Sequence, residues 1–174
     1  MIKQHIVIVG FMGTGKTTVA QQLGHQLNCL AVDLDDLITQ EQGRSANEII
    51  IQDGESSFRE LENKMLRSVL REAPALVIAA GGGAWTVAEN RRLISEQGAY
   101  TVWLDAPFAL CWQRIQAGAE ARPLAPSRAE AERLYSQRLP VYELADLRVG
   151  VADGETAEDI ALKIAIEIRQ HDAR

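Results

Sequence analysis

The sequence predicts an α/β fold, a five-stranded parallel sheet flanked by helices, and three observations carry that prediction. The apolar run from His5 to Val9 leads directly into Gly10-Phe11-Met12-Gly13-Thr14-Gly15-Lys16-Thr17, a complete G-x-x-x-x-G-K-[ST] phosphate-binding loop. Downstream, short β-branched or apolar runs alternate with amphipathic stretches, the pattern of parallel strands joined by crossover helices. The length, 174 residues, suits one domain with a substantial core and is short for two. A single domain over residues 1–174 is therefore expected.

Taken in order, the first strand is Ile6 to Val9, and after Lys16 the residues Val19, Leu23 and Leu27 fall at four-residue spacing on one helical face. A second strand covers Leu30 to Asp33. Ser45 with Glu48 fits a capping box, a hydroxyl and an acid three residues apart that satisfy free N–H groups at a helix start. The helix that follows shows a core face of Phe58, Leu61, Met65 and Val69. The third strand, Leu76 to Ala80, runs into Gly81-Gly82-Gly83, and the fourth covers Thr101 to Leu104. Segment 116–127 contains a glycine, two prolines and little to bury, so it reads as a mobile surface lid. Ser127 with Glu130 opens the next helix, whose inward stripe is Ala131, Leu134, Tyr135 and Tyr142, with a break expected at Pro140. The fifth strand covers Leu147 to Val151. Thr156 with Asp159 caps a final helix that carries Ile160, Ile164 and Ile168 on one face.

Composition narrows the function classes. Eighteen Lys and Arg against 24 Asp and Glu give a net charge of −6, so no general electrostatic attraction to nucleic acid or anionic membrane is expected. Cys29 and Cys111 form no C-x-x-C pattern, which argues against a disulfide framework or zinc site and suits a reducing cytoplasm. The first strand begins almost at once and no apolar run approaches membrane-spanning length, so an intracellular protein without a leader is expected.

The loop implies nucleotide phosphates: its glycines let successive backbone N–H groups turn inward around them, Lys16 would reach the outer phosphates, and the Thr17 hydroxyl would take a magnesium position. In open α/β sheets ligands lie beyond the carboxyl ends of the strands, so the residues that follow each strand matter most. Asp33 and Asp35 would share one side if the chain stays extended there, one for magnesium through water and the other to accept a hydroxyl proton or hydrogen-bond a polyol. The same acids equally suit a helix N-terminus. Gly81, Gly82 and Gly83 would let a ligand approach the main chain. Arg59 lies at the edge of its helix's core face with Glu62 one turn on to orient it. Arg138 falls within an inward stripe, where its guanidinium needs an anion such as a substrate carboxylate, unless it snorkels near Pro140. Arg122, in the lid segment, would close over the phosphates.

Together these residues resemble the shikimate kinase family across nearly the whole chain: the loop GFMGTGKT, the acids of VDLDD, Phe58-Arg59 with Glu62, the triple glycine, Arg122-Pro123-Leu124, and Arg138-Leu139-Pro140-Val141-Tyr142. The resemblance implies a P-loop fold like that of nucleoside monophosphate kinases and transfer of the ATP γ-phosphate to the 3-hydroxyl of shikimate. Gly13, Thr14, Gly15, Lys16, Thr17, Thr18 and Arg122 would serve ATP, with Thr17 and Asp33 on Mg2+. Asp35, Arg59, Gly81, Gly82, Gly83 and Arg138 would serve shikimate, with Lys16, Asp35 and Arg122 catalytic. A cytoplasmic monomer without nucleic-acid or membrane partners is implied. The chain departs from the family pattern at Ala125, where leucine is usual, at Trp85, where a smaller residue is usual and a reshaped pocket follows, and at Asp153-Gly154, where a basic residue often meets adenine. Two other readings remain open: a related kinase such as a gluconate kinase, or a nucleotide-binding regulator without transfer activity.

Overall fold

A computed structural model describes residues 4–72, 76–118 and 124–172. Five strands form one fully parallel sheet: β1 (Ile6–Val9), β2 (Ala31–Asp33), β3 (Val77–Ala79), β4 (Tyr100–Asp105) and β5 (Leu147–Gly150), in the order β2-β3-β1-β4-β5. All five expected strands form, each within a residue of the expected bounds. The order puts the topological switch at β1. From there the chain crosses to the edge strand β2, returns through β3, and then passes to β4 and β5 on the other side, which opens a crevice where the phosphate-binding loop emerges.

Burial explains the strand composition. All four residues of β1 are inaccessible, because helices cover both faces of a parallel sheet. Helix α1 (Lys16–Leu27) packs Val19 and Leu23 onto it, with Leu27 partly buried, and α8 (Ala157–Asp172) contributes Ile160, Ile164 and Ile168 as its periodicity predicts. Between β2 and β3 the chain makes three helices, α2 (Leu34–Gln42), α3 (Ala46–Asp53) and α4 (Glu55–Glu72), around a small separate core of Ile38, Ile49 and Phe58. The Ser45–Glu48 box forms in full, and Thr156 and Asp159 cap each other reciprocally. At Ser127 the hydroxyl accepts from the Glu130 N–H, while the Glu130 carboxylate bonds back to that hydroxyl. Cys29 and Cys111 are both free thiols, and burial pushes the Cys111 pKa up to about 11.

Three expectations change. The chain does not stay extended through Asp35, since α2 starts at Leu34 and Asp33 becomes its cap, accepting from the N–H groups of Asp35 and Asp36. The alternation of an extended chain, on which their shared side was expected, is therefore absent here. In α4 the deepest row is Phe58, Glu62, Leu66 and Leu70, whereas Leu61, Met65 and Val69 are only partly buried. A carboxylate stands where an apolar residue would normally mark the inner face. Finally, α7 (Arg128–Tyr142) runs through Pro140 without ending there. After β3 come a 3-10 turn, Ala84–Thr86, and α5 (Ala88–Glu96), and α6 (Phe108–Ala117) follows β4.

Candidate active site

The phosphate-binding loop is shaped by left-handed glycines. Gly13 has φ +80°, and a Cβ there would lie 2.6 Å from the Cys111 carbonyl oxygen of α6, so neither the conformation nor the space admits a side chain. Gly15, also left-handed, caps α1. With no acid in its first turn, α1 presents its positive end to the loop. Lys16 donates through Nζ to the Phe11 carbonyl at 2.9 Å, which lays its side chain across the loop. The Thr14 hydroxyl is buried and donates to the same carbonyl, which leaves only its backbone for a ligand. Thr17 and Thr18 are exposed at the helix start.

The loop opens into a pocket lined by Met12, Gly13, Gly15, Lys16, Thr17, Thr18, Asp33, Asp35, Ala80, Gly81 and Gly82. Within it the Thr17 hydroxyl donates to Asp33 Oδ2 at 2.6 Å, while Asp33 Oδ1 is committed to the α2 cap. A hydroxyl and a carboxylate side by side are the hard oxygen donors that Mg2+ takes. Among the described residues no group of three His, Cys, Asp or Glu could hold a metal, so a cation here would draw most of its ligands from phosphate and water.

Beside it lies a second pocket, formed by Met12, Asp35, Ala46, Asn47, Ile50, Phe58, Arg59, Glu62, Gly81, Gly82, Gly83, Leu124 and Arg138. The two pockets share Met12, Asp35, Gly81 and Gly82, and Asp35 is the carboxylate of that common wall. Of the two pockets Asp33 lines only the loop pocket, whereas Asp35 lines both. Arg59 is held from two sides, by Glu62 at 2.9 Å and Glu55 at 3.0 Å. Burial works against its charge, yet the two carboxylates outweigh that and raise its pKa. Glu62 itself is fully buried, and desolvation lifts its carboxyl to about 7 despite the pull of Arg59. Its second oxygen, Oε1, has no hydrogen-bond partner among the described residues. Arg138 is only 7% exposed, and among the described residues no carboxylate lies within ion-pair distance of it. A buried guanidinium in that state is a receptor for an anion.

The three glycines serve a purpose that the sequence did not suggest. A Cβ on Gly81 would stand 2.8 Å from Glu62 Oε1 and 3.0 Å from Asp35 Oδ1, and one on Gly83 would overlap the Arg59 guanidinium. Their missing side chains make room for the protein's own charged groups as much as for a ligand.

Trp85 does not reshape this pocket. The 3-10 turn directs its indole into the core, where Nε1–H donates to the Val141 carbonyl at 2.8 Å, and the ring borders a different cleft with Arg91, Tyr100 and Asp146. Asp153 and Gly154 lie in an exposed turn after β5. Residues 119–123 of the expected lid, Arg122 among them, lie outside the described residues, but Leu124 reaches the second pocket and Ala125 is buried. Sequence reasoning missed Glu55, whose four-residue spacing to Arg59 was a usable signal. It also missed Arg114, which donates from α6 to the Gly13 and Thr14 carbonyls at 3.3 Å each. Nothing local in the sequence marks that long-range contact.

Comparison with known proteins gives the same direction from every side. The family model described as shikimate kinase matches residues 12–169. The shikimate kinase of Cereibacter sphaeroides is 41% identical over 166 residues, covering 94% of this chain and 81% of that protein. That of Persephonella marina is 35% identical, covering 95% of this chain and 99% of its own. Among solved structures, the shikimate kinase from Acinetobacter baumannii in complex with shikimate superposes with a TM-score of 0.90 at 32% identity, covering 98% of this chain and 96% of its own. A gluconokinase from Sinorhizobium meliloti reaches a TM-score of 0.60 at 14% identity, a likeness of fold alone.

Proposed function

The chain belongs to the shikimate kinase family, and we infer from that membership and from the paired pockets how its residues divide the work. The protein is an ATP-dependent kinase that phosphorylates the 3-hydroxyl of shikimate, on the route to chorismate and the aromatic amino acids. The observation that carries the assignment of roles is the shared wall: one carboxylate, Asp35, stands between a phosphate-binding pocket and a pocket that holds a buried, anion-seeking arginine.

On this reading the loop pocket takes ATP. Backbone N–H groups from Gly13 to Thr18 and the Lys16 ammonium bind the phosphates, and Lys16 meets the charge that spreads over the transferring phosphoryl oxygens. Mg2+ would be held by Thr17 directly and by Asp33 through water, and it would neutralise phosphate charge when bound. In the second pocket Arg59 and Arg138 clamp the shikimate carboxylate, while Gly82 offers its N–H to the ring substituents between Gly81 and Gly83. Asp35 accepts the proton of the 3-hydroxyl as that oxygen bonds to the γ-phosphorus and the bond to the ADP oxygen breaks. Arg122, carried by segment 116–127 as a lid on a single domain, would close over the phosphates. A monomer in the cytoplasm, without nucleic acid, suits the acidic surface.

Release of ADP followed with Mg2+, ATP and either shikimate or gluconate tests the acceptor. Shikimate-dependent turnover is expected, and a preference for gluconate, or ATP binding without turnover, would overturn the reading. Arg138→Ala should then weaken shikimate by about 2–5 kcal/mol and leave ATP affinity within twofold. Equal losses for both substrates would remove Arg138 from the carboxylate clamp.

A further inference from the structure

Tyr142 ends α7 one turn beyond Arg138, and its chemistry is not used by any role assigned above. The side chain is 1% exposed, its ring stacks on Trp103 of β4 at 6.2 Å and 24°, and its hydroxyl donates to the Gly82 carbonyl at 2.5 Å. A buried tyrosine hydroxyl needs a hydrogen-bond partner, and here that partner is a carbonyl of the acceptor pocket itself. Burial pushes its pKa up to about 12 against the pull of Arg138, so the hydroxyl keeps its proton and remains a donor at neutral pH.

The three glycine carbonyls are secured differently. Gly81 O accepts from the Ala84 N–H at 3.0 Å, and Gly83 O accepts from the Thr86 N–H at 3.0 Å and the Thr86 hydroxyl at 2.7 Å. Both are local turn bonds. Gly82 O is bonded, among the described residues, by Tyr142 across 60 positions of sequence. A run of three glycines has more backbone freedom than any other tripeptide, so the plane of the middle peptide is fixed only as well as its hydrogen bonds fix it. The same residue borders the clamp, since a Cβ on Gly82 would stand 3.5 Å from Arg138 Nη1.

We propose that the Tyr142 hydroxyl is a positioning residue for the acceptor. It locks the Gly82 segment against α7, so that the glycine N–H and the Arg138 guanidinium meet the hydroxylated ring and its carboxylate in one fixed geometry. This rests on the assignment of Gly82 and Arg138 to shikimate. It adds no contact with the reacting atoms, and so acts through binding of one substrate.

Tyr142→Phe in the full chain keeps the ring, its burial and the stack on Trp103, and removes one oxygen. Steady-state kinetics should show the KM for shikimate raised at least fivefold, with the KM for ATP within twofold and kcat much less affected. In a double-mutant cycle with Arg138→Ala, the combined loss should fall short of the product of the single losses, because both act on one clamp. A control separates hydroxyl from packing: Trp103→Leu removes the stack and leaves the hydroxyl, so it should lower the melting temperature and spare the KM for shikimate. An unchanged shikimate KM in Tyr142→Phe, parallel increases in both KM values, or a Trp103→Leu variant that reproduces the shikimate defect would each overturn the proposal. If Arg138→Ala itself spares shikimate, the assignment of the clamp has failed, which is a separable result.

Discussion

The donor and acceptor halves of the site are built from different materials. The phosphate side is main chain: one uninterrupted run from Gly10 to Thr17, bent by left-handed glycines and set on the end of one helix. The acceptor side is side chain: Asp35 from α2, Arg59 and Glu62 from α4, and Arg138 from α7, gathered around three glycines after β3. The difference follows from the ligands. A polyphosphate offers the same tetrahedral oxygens in every nucleotide, and a curved row of N–H groups satisfies them without discrimination. A small carboxylated polyol must be told from its relatives, and that requires planar cations and a carboxylate held at fixed positions by other buried groups. Perturbing the two halves should therefore fail in different ways: conformation on one side, charge on the other.

The sharpest break is expected at the wall they share. Asp35→Asn keeps the size and the place in the first turn of α2 but removes the carboxylate proposed as base, so kcat should fall by about 10²–10⁴-fold. Binding of ATP, measured by calorimetry without acceptor, should stay within a few-fold. Loss of ATP binding comparable to the loss of kcat would show that Asp35 belongs to the donor half and not to the boundary.

Glu62 distinguishes the halves by pH. Its carboxyl titrates near 7 in the fold because burial outweighs Arg59, against the ordinary value of 4.5. Between those two values the unfolded chain has released this proton while the folded chain retains it, so stability falls as pH rises from about 4.5 to about 7 and levels off above. The upper limit of the effect is on the order of 3 kcal/mol. Glu62→Gln should flatten the difference in denaturation midpoint between pH 5 and pH 8 in the ligand-free protein. A wild-type midpoint that rises over that interval while the variant's does not would show that the Arg59 pair, not burial, governs this carboxyl.

The contrast also explains what was legible. Eight contiguous residues specify the donor loop, so Lys16, Thr17 and the strand and helix around them could be read directly from the letters. The five strands were legible for a similar reason, because a buried parallel strand is apolar on both faces. Arg138 was visible only as a violation, a cation inside an apolar stripe. Glu62 hid the true inner row of α4, since periodicity counts apolar residues and the row Phe58, Glu62, Leu66, Leu70 contains a carboxylate. Asp33 and Asp35 stood out in the sequence but their backbone setting did not, because the cap in which Asp33 accepts from the Asp35 N–H is a local hydrogen-bond choice. Arg114 and Tyr142 act across 100 and 60 residues respectively, and no spacing rule reaches so far.

On the donor side the expected failure is conformational. Gly13→Ala meets a left-handed φ and a carbonyl oxygen at 2.6 Å, so the loop must move, at about 1–2 kcal/mol for the backbone region alone. ATP should weaken correspondingly, while shikimate affinity measured without nucleotide should be retained. Weakening of both substrates would mean that the loop and the glycine floor deform together through Met12, and the division into two materials would then be too simple.

The smallest effect belongs to Trp85, and it limits the acceptor half from outside. The residue is adjacent in sequence to the glycine run, so a role in the pocket is the natural expectation, yet its indole points into the core and its N–H is satisfied by Val141. Trp85→Phe gives up that one hydrogen bond, about 1 kcal/mol. For a chain of this size that corresponds to a melting temperature lower by about 2–4 °C. The Val141 carbonyl also accepts from the Leu144 N–H at 3.2 Å, so it is not stranded, and the end of α7 should stay in place. Both KM values should remain within twofold, and any fluorescence change on shikimate binding should survive the substitution, arising from Trp103 behind Tyr142. A selective rise in the shikimate KM would extend the acceptor site through the 3-10 turn. It would also mean that the glycine floor is supported from two sides, by Tyr142 at Gly82 and by Trp85 through Val141.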